Sequence, residues 1–436
     1  MMNTISKNLL SFIKNSPSAF HSILSIKKIL NREGFQELKE QNDFALKLNG
    51  KYYVVRNDSS IIAFKLPSNL DHFSFHIVAS HSDSPSFKIK PFADFYVDGY
   101  HKLNVEGYGG MLCSTWFDRP LSIAGRVMVQ KENKIVSEFV NFDKNILSLP
   151  SVPIHFNRQA NENATYSMAV DMFPTIGQEK ESFNQILANY LKIEEKDIMN
   201  YDLYVYNHQD GYFWGQQDEF ISSPKLDDLQ CAYTTLLGFI KSEKNPNISV
   251  YCCFDNEEVG STTRQGANST FLEDVLNRIS LSLNQKKEDF YKALALSLMI
   301  SADNAHAIHP NHPELTDQLN KVSINQGIVI KFNASQSYTS DAISSSIFKM
   351  ICHNVKVPVQ SFTNKSGTRG GSTLGNISAT HVSILSVDIG LAQLAMHSAC
   401  ETSGTIDNEY MVKAMKEFYE CYLSMDENNQ IQIKKN

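Results

Sequence analysis

The sequence contains no long apolar run, no basic cluster and no CxxC motif. No stretch approaches the roughly 18 apolar residues that a membrane-spanning helix needs, and no N-terminal apolar segment is typical of a signal peptide. The 40 Lys and Arg residues are outnumbered by 47 Asp and Glu residues, which argues against a nucleic-acid or membrane partner. The seven cysteines lack CxxC spacing, which favours a reducing compartment. We therefore expect a cytoplasmic protein.

Alternating helical and strand-like segments predict an α/β fold. With 436 residues, the chain is long enough for two or three domains. Apolar residues at helical spacing predict helices over 3–14 and 18–33, and short β-rich runs follow them. Helical periodicity returns after Pro224, and the last predicted helix is amphipathic and covers 408–424. Residues 75–79 form one of the most strand-like runs.

A central segment has a different character. Glycines separate short alternating runs there, and the spacing predicts strands over 121–129 and 135–140. This pattern indicates a β-rich domain over 92–222 that interrupts an α/β domain. The α/β domain then consists of residues 1–91 and 223–436.

Seven polar side chains follow an apolar run or stand where a helix should begin. They are His81, Asp83, Asp227, Glu257, Glu258, Asp303 and His397. In open α/β sheets, ligands bind beyond the carboxyl ends of the strands. Imidazole and carboxylate groups are suitable ligands for Zn²⁺, and a two-metal hydrolytic site needs one carboxylate that bridges both ions. The set is therefore compatible with a two-metal centre.

Each of these residues, taken alone, also has an ordinary structural explanation. The pair Glu257 and Glu258 is typical of a solvated acidic turn, and a single histidine such as His397 is typical of a core residue. Asp227 and Asp303 are suited to cap the start of a helix or turn. Position and composition alone leave these structural roles and a metal site equally open.

Six ordered motifs resolve this choice. They are HSDSP at 81–85, STWFDR at 114–119, SPKLD at 223–227, FDNEEVGS at 254–261, SADNAHAIHP at 301–310 and AMHS at 395–398. Together they resemble the aspartyl aminopeptidase family of co-catalytic zinc exopeptidases over almost the whole chain. The resemblance implies an α/β/α metallopeptidase catalytic domain with an inserted β-rich dimerisation domain.

The resemblance also implies two zinc ions per subunit, for which cobalt or manganese would be possible substitutes. One ion would be held by His81 and Asp303. The other would be held by Glu258 and His397, and Asp227 would bridge the two.

Two catalytic roles follow from the same resemblance. Glu257 would be the general base for the attacking water, and Asp83 would be the partner that orients His81. The division of roles between Glu257 and Glu258 comes from the resemblance, since their spacing alone does not distinguish them.

The resemblance further implies short peptide substrates and a homo-oligomer, a dodecamer built from dimers. His155 matches a histidine that reaches the active site of a neighbouring subunit. Family members that prefer acidic N-termini have a basic residue just before the tyrosine that matches Tyr338, but Ser337 stands there in this chain. Lys331 or Arg369 could supply a positive charge to a substrate pocket instead.

The sequence therefore predicts a zinc-dependent aminopeptidase that removes the N-terminal residue from peptides, with an acidic preference in doubt. Two alternatives use the same residues. One is another two-metal hydrolase, such as a carboxypeptidase or a deacylase. The other is a non-catalytic assembly protein that has kept the oligomer and lost the chemistry.

Overall fold

A nine-stranded mixed sheet is the centre of the fold. The computed structural model describes residues 4–368, 370–428 and 430–435. In spatial order, the strands are Gln36–Leu38, Lys51–Arg56, Ser60–Lys65, Ile248–Phe254, Phe75–His81, Leu298–Ala302, Leu385–Gly390, Ile328–Phe332 and Val359–Thr363. The four strands from the fourth to the seventh of this series are mutually parallel. Their carboxyl ends consequently lie at one edge of the sheet.

Helices cover both faces of this sheet. One face packs against Thr4–Lys14, Ala19–Arg32, Leu226–Lys241, Ala342–Asn354 and Asp407–Glu420, and the other against Phe271–Ser282, Lys287–Ala295 and Leu374–Ser378. Alternate residues of the buried strands face the two layers, so Tyr251 and Cys253 lie in one core and Val250 and Cys252 in the other. Among the described residues, no helix has the length and apolarity to cross a membrane.

A second sheet is built from residues between 86 and 207. Its six strands are, in spatial order, Lys134–Asn141, Leu121–Lys131, Ile198–Asn207, Ser86–Val97, Tyr100–Tyr108 and Thr175–Gly177. The helix Phe183–Leu191 covers it with Phe183 and Leu187. The strand Ser86–Val97 runs through the predicted boundary at 91/92 without a break. The domain limits at 91/92 and 222/223 stay a prediction.

Two smaller sheets and four short 3₁₀ turns complete the described structure. The five-stranded sheet has the order Tyr212–Trp214, Phe220–Ser223, Glu401–Gly404, Ala392–Leu394 and Ala305–His306, and the two-stranded sheet pairs Cys421–Met425 with Ile431–Lys435. The 3₁₀ turns are Cys113–Trp116, Glu195–Asp197, Glu257–Val259 and Pro313–Leu315.

The predicted fold class, an α/β/α layered domain with an additional β-rich part, is confirmed. The predicted end of the last helix is wrong, because the helix stops at Glu420 and the chain continues as a strand. Cys421 and Leu423 are buried while Tyr422 is half-buried, which is the two-residue alternation of a strand. The helix that starts after Ser182 was not predicted; the Ser182 hydroxyl caps it by accepting a hydrogen bond from the Gln185 amide.

Candidate active site

Four of the predicted site residues meet at the carboxyl edge of the large sheet. His81 is the last residue of its strand and lies in register beside Phe254, the end of the neighbouring strand. Glu257 and Glu258 follow Phe254 in a 3₁₀ turn. Asp303 directly follows the next parallel strand. Parallel pairing of the buried strands therefore brings together residues that are far apart in the sequence.

Asp227 and His397 reach the same edge from other elements. Asp227 lies in the first turn of a helix, but its φ of −83° and ψ of 110° are not helical. The carbonyl of Asp227 accepts a hydrogen bond from the Ser84 hydroxyl. His397 follows a short strand of the five-stranded sheet and has a φ of 66°. These backbone conformations direct both side chains toward the sheet edge.

The Asp227 carboxylate lies between the two histidines. Its Oδ1 is 3.5 Å from His81 Nε2, and its Oδ2 is 3.5 Å from His397 Nε2. Glu258 Oε2 is also 3.5 Å from His397 Nε2. The potential ligand atoms fall into three overlapping groups, namely His81, Asp227, Asp228 and Asp303; His81, Glu257 and Glu258; and Asp227, Glu258 and His397. His81, Asp227 and Glu258 each occur in two of the three groups, and Asp227 is the carboxylate that lies 3.5 Å from both histidines.

Unpaired carboxylate oxygens test whether this donor set fits metal ions. Asp227 Oδ1, Asp228 Oδ1 and Glu258 Oε1 are buried, and no residue in the described ranges donates a hydrogen bond to them. A buried polar atom without a partner is costly. Carboxylate oxygens and imidazole nitrogens are the ligands that Zn²⁺ accepts in catalytic sites. The residues present therefore fit zinc.

The charges of the cluster also favour bound cations. Burial raises the pKa of Glu258 well above its ordinary value, and the neighbouring Asp227 raises it further. Burial acts to lower the pKa of His397, but Asp227 and Glu258 raise it to about 10. Burial also acts to raise the pKa of Asp227, but His397 and His81 hold it below its usual range. The excess of buried carboxylates over imidazoles is what bound cations would neutralise.

Glu257 differs from Glu258 in position. Glu258 Oε2 lies 3.5 Å from His397 Nε2, whereas Glu257, which is likewise half-buried and lines the cleft beside the cluster, makes no such contact among the described residues. Burial raises the pKa of Glu257 to about 8, with Asp303 adding to the rise and His81 opposing it. A carboxylate whose pKa lies near neutrality is suited to exchange protons with a substrate or water.

Asp83 holds the two glutamates and His81 together. Its Oδ1 accepts the Glu257 amide at 3.2 Å, and its Oδ2 accepts the Glu258 amide at 3.2 Å. Its Oδ1 is also 3.4 Å from His81 Nδ1, and the same ring nitrogen lies 3.1 Å from the main-chain oxygen of Asp83. The Tyr108 hydroxyl donates to Asp83 Oδ2 at 2.7 Å. Asp83 therefore contacts three of the site residues at once.

Sequence reasoning missed Tyr108, which is the last residue of a strand in the second sheet. Its side chain is half-buried, and its hydroxyl also accepts a hydrogen bond from Asn256 Nδ2 at 2.9 Å. The local sequence at this position is a tyrosine before two glycines, a pattern that indicates a turn and not a site residue. The contact with Asp83 joins the second sheet to the site.

A cleft of about 300 Å³ opens beside the cluster. Its other lining residues are Asn304, Ala305, His306, Lys331, Tyr338, Phe362, Gly371, Ser372, Thr373 and Met396. Tyr338 is buried in its wall, and Lys331 Nζ lies 3.6 Å from Asp303 Oδ2. His155 lies in an exposed segment and does not line the described part of the cleft. Arg369 falls outside the described residues.

Comparisons with known proteins support an enzyme of one family. The family model described as aminopeptidase I zinc metalloprotease (M18) matches residues 12–419. The chain belongs to this family. It is therefore an aminopeptidase of the zinc metalloprotease class, as the sequence predicted, and the match favours neither a carboxypeptidase nor a deacylase.

Relatives and solved structures agree with this assignment. A "Probable M18 family aminopeptidase 2" of Clostridium novyi (strain NT) is 46% identical over 421 residues, which cover 94% of this chain and 97% of that protein. A structure of the Ape4 and Nbr1 complex matches with a TM-score of 0.92 and 32% identity, covering 95% of this chain and 85% of the other. A structure of the S. cerevisiae mApe1 dodecamer matches with a TM-score of 0.83 and 25% identity, covering 96% of each chain.

Proposed function

We propose that this M18 aminopeptidase uses two zinc ions per subunit. His81 and Asp303 would hold one ion, Glu258 and His397 the other, and Asp227 would bridge them. The observation that carries this proposal is the position of the Asp227 carboxylate, with an imidazole 3.5 Å from each oxygen. Its buried Oδ1 accepts no hydrogen bond from the described residues, so a cation is the partner that would compensate its burial.

The chemistry divides between the ions and the protein. When bound, zinc polarises the scissile carbonyl and lowers the pKa of water. Glu257 would take a proton from the attacking water and deliver it to the leaving amine, since it is the site carboxylate that lines the cleft without belonging to the proposed ligand set. Asp83 holds the Glu257 amide and lies beside His81 Nδ1, so His81 presents Nε2 to Asp227 and the cluster.

The proposed substrates are short peptides, and Lys331 is the residue that would decide an acidic preference. It is a buried cation in the cleft wall. Its charge is shared, because Nζ lies 3.6 Å from the Asp303 carboxylate. An Asp or Glu side chain of the substrate would therefore compete with Asp303 for this ammonium group. A preference for acidic N-terminal residues would therefore depend on how well the substrate carboxylate competes with Asp303 for Lys331.

We further propose a cytoplasmic homo-oligomer, a dodecamer built from dimers in which residues 92–222 form the dimer contact. Support comes from the match to a dodecameric structure and from exposed apolar side chains. Phe92 is 90% exposed and Phe156 is 86% exposed, and large exposed apolar groups commonly mark protein interfaces. His155 lies beside Phe156, which fits a role at a subunit contact.

Cleavage of free and blocked peptides tests the proposed activity. The zinc-loaded enzyme should release the first residue from short peptides with a free α-amine and leave N-acetylated versions of the same peptides intact. Equal cleavage of both forms, or release of the C-terminal residue, would contradict the proposal. A panel of aminoacyl substrates with Asp, Glu, Leu, Ala and Lys at the first position would then establish the preferred side chain.

A further inference from the structure

A buried glutamate outside the predicted set contacts the backbone of two proposed metal ligands. Glu401 is the first residue of the strand Glu401–Gly404, and 2% of its surface is exposed. Its Oε2 accepts the Asp227 amide at 2.9 Å, and its Oε1 accepts the His397 amide at 2.7 Å. The side-chain amide of Gln393 also donates to Oε1, at 3.4 Å.

Both backbone segments held by Glu401 have conformations that need support. His397 has a φ of 66°, and Ala395, two residues earlier, has a φ of 55°. Left-handed backbone is unfavourable for residues with a Cβ and persists where surrounding contacts fix it. Asp227 is non-helical within the first turn of its helix. The Glu401 carboxylate is placed to stabilise both departures.

The contact also explains why a carboxylate occupies this position. Glu401 is almost fully buried, so a carboxylate here is unfavourable unless its oxygens are well bound. A carboxylate offers an acceptor to each of two N–H groups. A glutamine of the same shape would turn an NH₂ group toward one of them and leave that amide unpaired.

A second contact completes the orientation of His397. Its Nδ1 lies 2.8 Å from the carbonyl oxygen of Gly110, and Nε2 is the nitrogen that faces Asp227 and Glu258. Glu401 thus fixes the main chain of His397, while Gly110 fixes its ring. Outer contacts of this kind orient metal-binding histidines and determine their tautomer.

We infer that Glu401 is a positioning residue that sets the bridging Asp227 and the terminal ligand His397 relative to one another through their backbone amides. This inference rests on the proposed ligand roles of Asp227 and His397. It predicts that Glu401 affects zinc binding while it contacts neither the substrate nor the metal ions.

The test compares Glu401→Gln with Glu417→Gln in the full-length protein. Glu417 is likewise 2% exposed, and it forms an ion pair with Lys435 away from the cluster, so its variant controls for the loss of a buried carboxylate. Zinc affinity is measured by competition with a chelator, thermal unfolding is measured on the zinc-free proteins, and kcat and KM are measured with saturating zinc. Loss of such an outer contact typically weakens metal affinity about 10–100-fold.

We expect Glu401→Gln to weaken zinc binding by that factor, and Glu417→Gln to bind zinc as the wild type does. Unchanged zinc affinity in Glu401→Gln would overturn the inference. Glu401→Asp, which keeps the charge but is too short to reach both amides, should also bind zinc weakly; normal binding by this variant would equally overturn it. A wild-type protein that binds no zinc would instead contradict the proposed function.

Discussion

The substitution Glu257→Gln separates proton transfer from metal binding. It replaces one oxygen by an NH₂ group and keeps the size of the side chain. The turn should stay in place, because Asp83 holds the backbone amides of Glu257 and Glu258 rather than the Glu257 side chain. The proposed zinc ligands are unchanged, so the variant should bind zinc as the wild type does.

The expected size of the effect follows from the role of Glu257 in the cleft. A positioned general base typically contributes about 10²- to 10⁴-fold to the rate, which corresponds to roughly 2.7–5.4 kcal/mol of transition-state stabilisation at about 1.36 kcal/mol per tenfold. An amide cannot accept the proton, so kcat should fall by such a factor. KM should change little, because a glutamine occupies the same space in the cleft.

Glu258→Gln is the matched comparison. Glu258 lies 3.5 Å from His397 Nε2 and has a buried, unpaired Oε1, so its variant should lose zinc during gel filtration. The assay is zinc content by elemental analysis together with kcat and KM on a free peptide. Wild-type turnover in Glu257→Gln would refute its role as the base. Zinc loss from Glu257→Gln with zinc retained by Glu258→Gln would show that the two roles are exchanged.

Three further predictions concern the residues around the cluster. Tyr108→Phe removes the hydroxyl that donates to Asp83 at 2.7 Å. Because a hydrogen bond to a charged group is worth about 1.5–3 kcal/mol, we expect the variant to have a lower kcat/KM and a lower unfolding temperature. A variant with wild-type values of both would contradict this role of Tyr108. Lys331→Gln should reduce kcat/KM for Asp and Glu substrates more than for Leu substrates, whereas an equal reduction would exclude Lys331 as the acidic-side-chain receptor. In the zinc-free protein, burial acts to lower the pKa of His397, but the nearby Asp227 and Glu258 raise it to about 10. Zinc binds the neutral imidazole, so its affinity should rise between about pH 6 and pH 8, by roughly tenfold per pH unit for one displaced proton; titration calorimetry that detects no proton release would contradict this.

The sequence predicts which residues form the cluster, because several of them stand at or just after the end of a strand. His81, Glu257 and Asp303 each follow a buried apolar run, and parallel pairing places such ends side by side. The ordinary explanation for Asp227 as a helix cap does not hold, since the Asp227 carboxylate faces the two histidines.

Residues that act through long-range contacts could not be predicted in this way. Glu401 reaches Asp227 across 174 positions of the chain, and Tyr108 reaches Asp83 from another sheet. Neither side chain stands in a local pattern, because its partner is a backbone amide or a carboxylate brought near by folding. The end of the last helix at Glu420 depends on pairing of the following strand with Ile431–Lys435, which helical periodicity does not indicate.

The zinc stoichiometry of activity tests the account most directly. Chelator-treated wild-type protein is titrated with zinc while peptide cleavage and bound zinc are measured in parallel. Activity should return and saturate at two zinc ions per subunit, and Asp227→Asn, which weakens the shared carboxylate, should impair the binding of both ions. Saturation at one ion with full activity, or cleavage that is independent of zinc, would contradict the two-metal site.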